Sequence, residues 1–209
     1  MTEDRSDGRT GGLSHLDPDA FVARFGGVYE HSPWIARRTL GRGALPAWLD
    51  APERAPAGTL RGVAEARELA GAFSRTLAAA DEAERLALVR AHPDLVGAAA
   101  LAGDLTHESS AEQSSAGLDR CTPDELGRFR TANAAYRERF GFPFVMAVRG
   151  ADRAAILAAF ERRLGNGPDE ELATALVEID RIARLRLEAL VEAPDAERPD
   201  AERAGEVAR

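Results

Sequence analysis

Three short stretches of this 209-residue chain carry side chains able to move protons or grip a polar ligand. In AHPDLVG, residues 91–97, His92 stands three and six positions after Val89 and Leu86 and directly before Pro93. It therefore leaves a helix on or beside the apolar face, where proline disfavours further helix. An imidazole there is a candidate general acid or base, because the helix C-terminus favours its cation while burial opposes it. The same position suits a histidine that only bonds a terminal carbonyl.

In THESSAEQSSAGLD, residues 106–119, Ser109, Glu112 and Gln113 stand at i, i+3 and i+4, on one face of a helix, as a compact set of donors and acceptors. Ser109-x-x-Glu112 is also capping-box spacing, which accounts for Ser and Glu without any chemistry but leaves Gln113 unexplained. In the last helix, Leu172, Leu176, Ile179, Ala183 and Leu190 form an apolar stripe, with Arg186 inside it, Arg184 at its margin and Arg181 roughly opposite. A guanidinium turned toward a core needs a carboxylate, either from the protein or from a ligand.

A fourth stretch, FGFPFVMAV at residues 140–148, offers backbone instead of side chains. Phe142 precedes proline and is biased to an extended conformation, and no second strand follows to pair the apolar run. Its amides and carbonyls need partners. A ligand rich in amide groups could supply them, and so could neighbouring helix ends and water.

Composition narrows the chemistry. All 27 basic residues are Arg, so Schiff-base catalysis through Lys, ordinary pyridoxal-phosphate enzymes and a P-loop are excluded. His15, His31, His92, His107 and the single Cys121 form no HExxH, no paired CxxC and no cluster at zinc spacing, so no metal is expected. A net charge of -8 argues against a nucleic-acid or anionic-membrane partner. One cysteine and no N-terminal apolar run lead to the expectation of a soluble protein in a reducing compartment.

The elements that must position these residues are helices. Asp17-Pro18 and Ser32-Pro33 read as helix starts, and a Pro- and Gly-bearing stretch around GALPAWLDAPERAPAG separates them from a helix over 59–79. Asp81 with Glu84 reads as a capping box opening the helix that ends at His92, and Thr122-Pro123-Asp124-Glu125 starts a helix that Gly141 stops. Two more follow, one carrying Ile156, Leu157, Phe160 and Leu164, and a long one from Pro168. The fold class is all-α: a single compact helical domain over residues 13–192 with one short extended segment near 142–148. Residues 1–12 and 193–209, charged and poor in large apolar side chains, are expected to be disordered tails.

FGGVYEHSPW, AHPDLVG, LTHESSAEQSSAGLD, NAAYRERFGFPFVMAV and RIARLRL, in this order and at these distances over residues 13–191, resemble the 2-oxo-4-hydroxy-4-carboxy-5-ureidoimidazoline (OHCU) decarboxylases of purine catabolism. The resemblance implies an all-α homodimer that converts this small molecule to (S)-allantoin without a cofactor. It puts the catalytic histidine at His92 with Pro93 beside the substrate, and a Ser-x-x-Glu-Gln at Ser109, Glu112 and Gln113, with Ser110 and Ala111 on the same wall. It makes Phe144, Val145, Met146, Ala147 and Val148 a backbone contact, and it matches Arg186 best to a last-helix arginine, with Arg184 remaining open. His92 and Glu112 would handle the substrate hydroxyl proton and the electrostatics of decarboxylation; which group returns a proton to the product stays open. Val96 and Ala98 to Ala100 depart from the resemblance, since a lysine is expected nearby in many relatives. The chain end VAR is not a peroxisomal tripeptide, so a cytoplasmic location is expected. A helical interaction module remains the alternative from another class. It would present a flat exposed face, where an enzyme would enclose a pocket. A different cofactor-free lyase or hydrolase of a ureido compound is the other alternative.

Overall fold

The computed structural model describes residues 15–55, 57–97 and 105–191. Among these residues it holds eight α-helices and no strand: α1 (Pro18–Phe25), α2 (Trp34–Gly41), α3 (Val63–Ala78), α4 (Glu82–Arg90), α5 (His107–Ser115), α6 (Pro123–Phe140), α7 (Arg153–Arg163) and α8 (Pro168–Ala189). The all-α expectation is met. The tails expected at 1–12 and 193–209, and Ala98 to Ala100, lie outside the described residues.

Most helix starts follow the local chemistry of the sequence. Asp17 caps α1 by accepting from the Ala20 amide at 2.7 Å, and Asp81–Glu84 and Thr122–Glu125 close reciprocal capping boxes on α4 and α6. Gly141, at φ 74°, ends α6 in the left-handed region that glycine enters without strain. Ser32 differs. Helix α2 begins at Trp34 with Pro33 at its cap and no side-chain capping bond. The stretch read as a linker folds into two short 3-10 turns, Ala47–Asp50 and Pro52–Arg54, so α3 begins at Val63, four residues later than the pattern predicts.

Helix α8 is the spine. It lies along α3 and touches α4, while α2 packs on α3, α1 on α2, and α7 on α6. One end of the core is built from Phe21, Phe25 and Phe73, and the other from Phe129, Tyr136, Phe144 and Phe160, with Phe144 and Phe160 stacked 3.8 Å apart at their centroids. The turn between α1 and α2 is pinned inward: the Tyr29 hydroxyl donates to Asp180 of α8 at 2.6 Å, and Ser74 of α3 donates to the other oxygen of the same carboxylate. That fastening carries Glu30 into the interior. No helix among the described residues is long and apolar enough to cross a membrane.

Candidate active site

His92 sits two residues past the end of α4, 7% exposed. Its Nδ1 lies 2.9 Å from the Leu88 carbonyl oxygen. A carbonyl only accepts, so Nδ1 carries the proton and Nε2 keeps its lone pair in the neutral ring. Burial pushes the imidazole down to about 4, against the pull of the Leu88 carbonyl and of Glu30 toward the cation. Near neutral pH, His92 is therefore an uncharged base with Nε2 unengaged by any described residue. The capping role and the chemical role do not compete, since they use different nitrogens.

Facing it is one guanidinium between two carboxylates. Arg186 of α8 grips Glu112 of α5 as a fork, Nε to Oε1 and Nη2 to Oε2, both at 2.9 Å. Its Nη1 donates to Glu30 Oε2 at 2.9 Å and reaches the Gly27 carbonyl at 3.5 Å, and Nη2 also donates to Ser109 Oγ at 3.1 Å. Ser109 and Thr106 in turn donate to the two oxygens of Glu30. Burial opposes the charge on Glu30, but the Arg186 cation and these hydrogen bonds outweigh it and lower its carboxyl. All five Arg186 donors are thus engaged by protein acceptors, and its first task is to orient Glu112.

The turn after His92 is strained and held. Val96 has φ 53°, uncommon for a β-branched residue, and a Cβ on Gly97 would lie 2.6 Å from the Asp94 Cβ. Gln113 Oε1 accepts from the Val96 amide at 3.0 Å, and Asn133 donates to the Leu95 carbonyl at 2.8 Å. Gln113 therefore shapes the pocket as well as facing it.

These groups meet around one small cavity of about 30 Å³. His92, Pro93, Ser109, Glu112, Gln113 and Arg186 line one side and Phe144, Val145, Met146 and Val148 the other, with Leu95 and Ile182 between them. Ala147 is not among the lining residues, and Ser110 and Ala111 face outward on α5, bordering other grooves. Arg184 and Arg181 are exposed, so the apolar stripe selects Arg186. Among the described residues, no three His, Cys, Asp or Glu side chains converge as a metal site would require.

Residues 14–188 match the family model described as OHCU decarboxylase. The chain is 41% identical to the 2-oxo-4-hydroxy-4-carboxy-5-ureidoimidazoline decarboxylase of Haloferax volcanii, over 84% of this chain and 91% of that protein. This chain belongs to the OHCU decarboxylase family. The mouse decarboxylase is 37% identical over 84% of this chain and 88% of its own length. A crystal structure of (S)-allantoin synthase superposes with a TM-score of 0.61 at 27% identity, covering 86% of this chain and 52% of that longer one. A crystal structure of OHCU decarboxylase in the presence of (S)-allantoin has the same fold, with a TM-score of 0.56 at 20% identity over 84% of this chain and 98% of that one.

The sequence reading missed two parts of this family member's site. Glu30, 2% exposed, lies inside FGGVYEHSPW but carries no local signal of its role. Thr106, not Ser109, caps α5, accepting from the Ser109 amide at 3.3 Å. Ser109 and Glu112 therefore form no capping box, and both side chains serve the buried ion-pair cluster.

Proposed function

We propose that this chain decarboxylates 2-oxo-4-hydroxy-4-carboxy-5-ureidoimidazoline to (S)-allantoin, with His92 and Glu112 as the catalytic groups. What carries the reading is a neutral, buried His92 with Nδ1 tied to Leu88 and Nε2 unengaged, lining the same half-open cavity as the Glu112–Arg186 pair. A flat docking face for a partner protein would not bury His92 and Gln113 in this way.

In the substrate, one ring carbon bears both hydroxyl and carboxylate, and its neighbour bears the ureido group. When the carboxylate departs as carbon dioxide, the bonding pair left behind is taken up by the adjoining carbon–nitrogen double bond of the ring. The ring nitrogen that received the pair takes one proton, the hydroxyl loses its own as its carbon becomes a carbonyl, and the ureido-bearing carbon takes another from one face, which sets the handedness. The ring itself holds the electron pair, so this route needs no Lys, pyridoxal or metal. His92 Nε2 is the acceptor for the hydroxyl proton. Glu112, fixed by the Arg186 fork, accepts a substrate N–H and offsets the imidazolium as it forms. Gln113 points one amide N–H at the Asp94 carbonyl at 3.5 Å and keeps the other for the ligand, and Ser109 works through Glu30 and Arg186. Arg186 reaches the substrate carboxylate only by giving up one of its protein acceptors.

A cavity of about 30 Å³ has room for a water or two, so a heterocycle must widen it. Half-buried Met146, with its adaptable thioether, is the wall best suited to give way.

The deciding experiment generates the substrate in situ from 5-hydroxyisourate and follows allantoin by circular dichroism. Protein dialysed against chelator is expected to form (S)-allantoin well above the spontaneous rate. Racemic product at the enzyme-free rate would refute the activity, and full loss restored by a divalent cation would refute metal independence. The reading also takes the protein to be a cytoplasmic homodimer, on the family resemblance and the single cysteine; sedimentation velocity giving a monomer at micromolar concentration would overturn the dimer.

A further inference from the structure

Residues 143–148 run without helix or strand between α6 and α7. In extended backbone the N–H and C=O of every second residue face the same edge. On one edge, the Val145 carbonyl accepts from Arg163 Nη1 at 2.7 Å and the Ala147 amide donates to Glu178 Oε2 at 2.8 Å. On the other, the amide and carbonyl of Met146 and the amide of Val148 find no partner among the described residues, nor do the Val145 amide and the Ala147 carbonyl, and both Met146 and Val148 line the cavity.

The Arg163 tether is elaborately built for one hydrogen bond. Arg163 is 6% exposed, and its Nε and Nη2 both bond Oε1 of the fully buried Glu171, at 2.8 and 2.5 Å. Tyr136 donates to that same oxygen, and Asn166 donates to Oε2 at 2.7 Å. The guanidinium also lies 4.4 Å over the Phe144 ring. A buried ion pair seldom adds stability over apolar side chains of the same volume. What this pair supplies that a Leu or Met could not is a fixed donor at Val145 and a fixed face against Phe144.

We infer that Arg163 and Glu178, neither of which lines the cavity, are positioning residues that clamp the outer edge of residues 145–147 so that the Met146 and Val148 backbone groups stay presented to the substrate's ureido and ring amides. The inference rests on the decarboxylase reading of the pocket. It assigns to α7 and α8 the setting of substrate affinity through backbone the substrate touches, while His92 and Glu112 keep the chemistry.

The test uses the full chain with substrate generated in situ. Glu178 is half-buried on α8, so E178A removes the acceptor without opening the core, whereas E178Q keeps an oxygen able to accept from the Ala147 amide. R163K keeps the charge beside Glu171 but not the fork that also reaches Val145. E178A and R163K are expected to lower kcat/KM roughly 10–100-fold, mainly through KM, with E178Q restoring most of it. A merely structural role would instead reduce the folded fraction, and so apparent kcat, with KM unmoved. With an active parent, folded E178A at the parental kcat/KM, or E178Q as impaired as E178A, would overturn this inference alone. An inactive parent would overturn the decarboxylase reading, and this inference with it.

Discussion

Replacing His92 by Asn is expected to lower turnover roughly 10²–10⁴-fold while the fold survives. The reason lies in the two nitrogens. Nδ1 serves the helix end through Leu88, and Nε2, unengaged by any described residue, keeps a lone pair to take a proton at neutral pH. An Asn amide can serve at a helix C-terminus, so the substitution keeps part of the cap and removes the base. Stability should change by about 1 kcal/mol, read as a melting temperature close to that of the parent. Rates need an enzyme-free control scored for product handedness, because the substrate decays by itself. A stable variant that forms (S)-allantoin at the parental rate would confine His92 to helix capping.

The pH dependence follows from the same residue. Its folded value lies near 4, because burial favours the neutral ring, against about 6.5 in the unfolded chain. Between those values the unfolded chain binds more protons, so the His92 contribution to stability is present above about 6.5 and is lost as pH falls toward 4. In kcat/KM, which reports the free enzyme, the His92 limb belongs on the acid side near 4.

What was legible in the sequence was mainly local. Asp17, Asp81 and Thr122 each cap the helix they precede, since a cap is settled within four residues. Arg186 was legible by periodicity: a charge inside an apolar stripe must find a buried partner, and it finds two. The start of α5 stays ambiguous in the sequence because Thr106 and Ser109 are both good caps three residues apart, and Glu112 at the third position beyond Ser109 supports the second. Tertiary demand decided it, with both hydroxyls reaching Glu30 from across the fold. Glu30 itself had no local signature, since between Tyr29 and His31 it reads as a solvated turn residue. Counting donors could have found it: a buried guanidinium offers five N–H groups, more than Glu112 alone can accept. The same stripe test could have found Arg163, which follows Ile156 and Phe160 at helical spacing into the core.

That donor count implies a large stability effect. Substituting Arg186 by Met should destabilise the fold by about 3–5 kcal/mol, because it strands Glu30 in the interior and leaves Glu112 without its fork. For a domain of this size the melting temperature should fall by roughly 10 °C. Lost packing alone would cost far less, since Met fills much of the same volume. Adding Glu30→Gln separates the causes. If the stranded charge dominates, E30Q should cost stability in the parent but recover part of the loss in the R186M background, a coupling that a double-mutant cycle in denaturant measures directly. Additive effects would mean that Arg186 and Glu30 do not depend on each other, against the 2.9 Å contact between them. R186K adds the catalytic half of the test. An ammonium keeps a positive charge between Glu30 and Glu112 but cannot hold Glu112 by two parallel bonds. Its stability should therefore lie between parent and R186M, while its kcat falls toward that of R186M, because orienting the Glu112 carboxylate requires the fork.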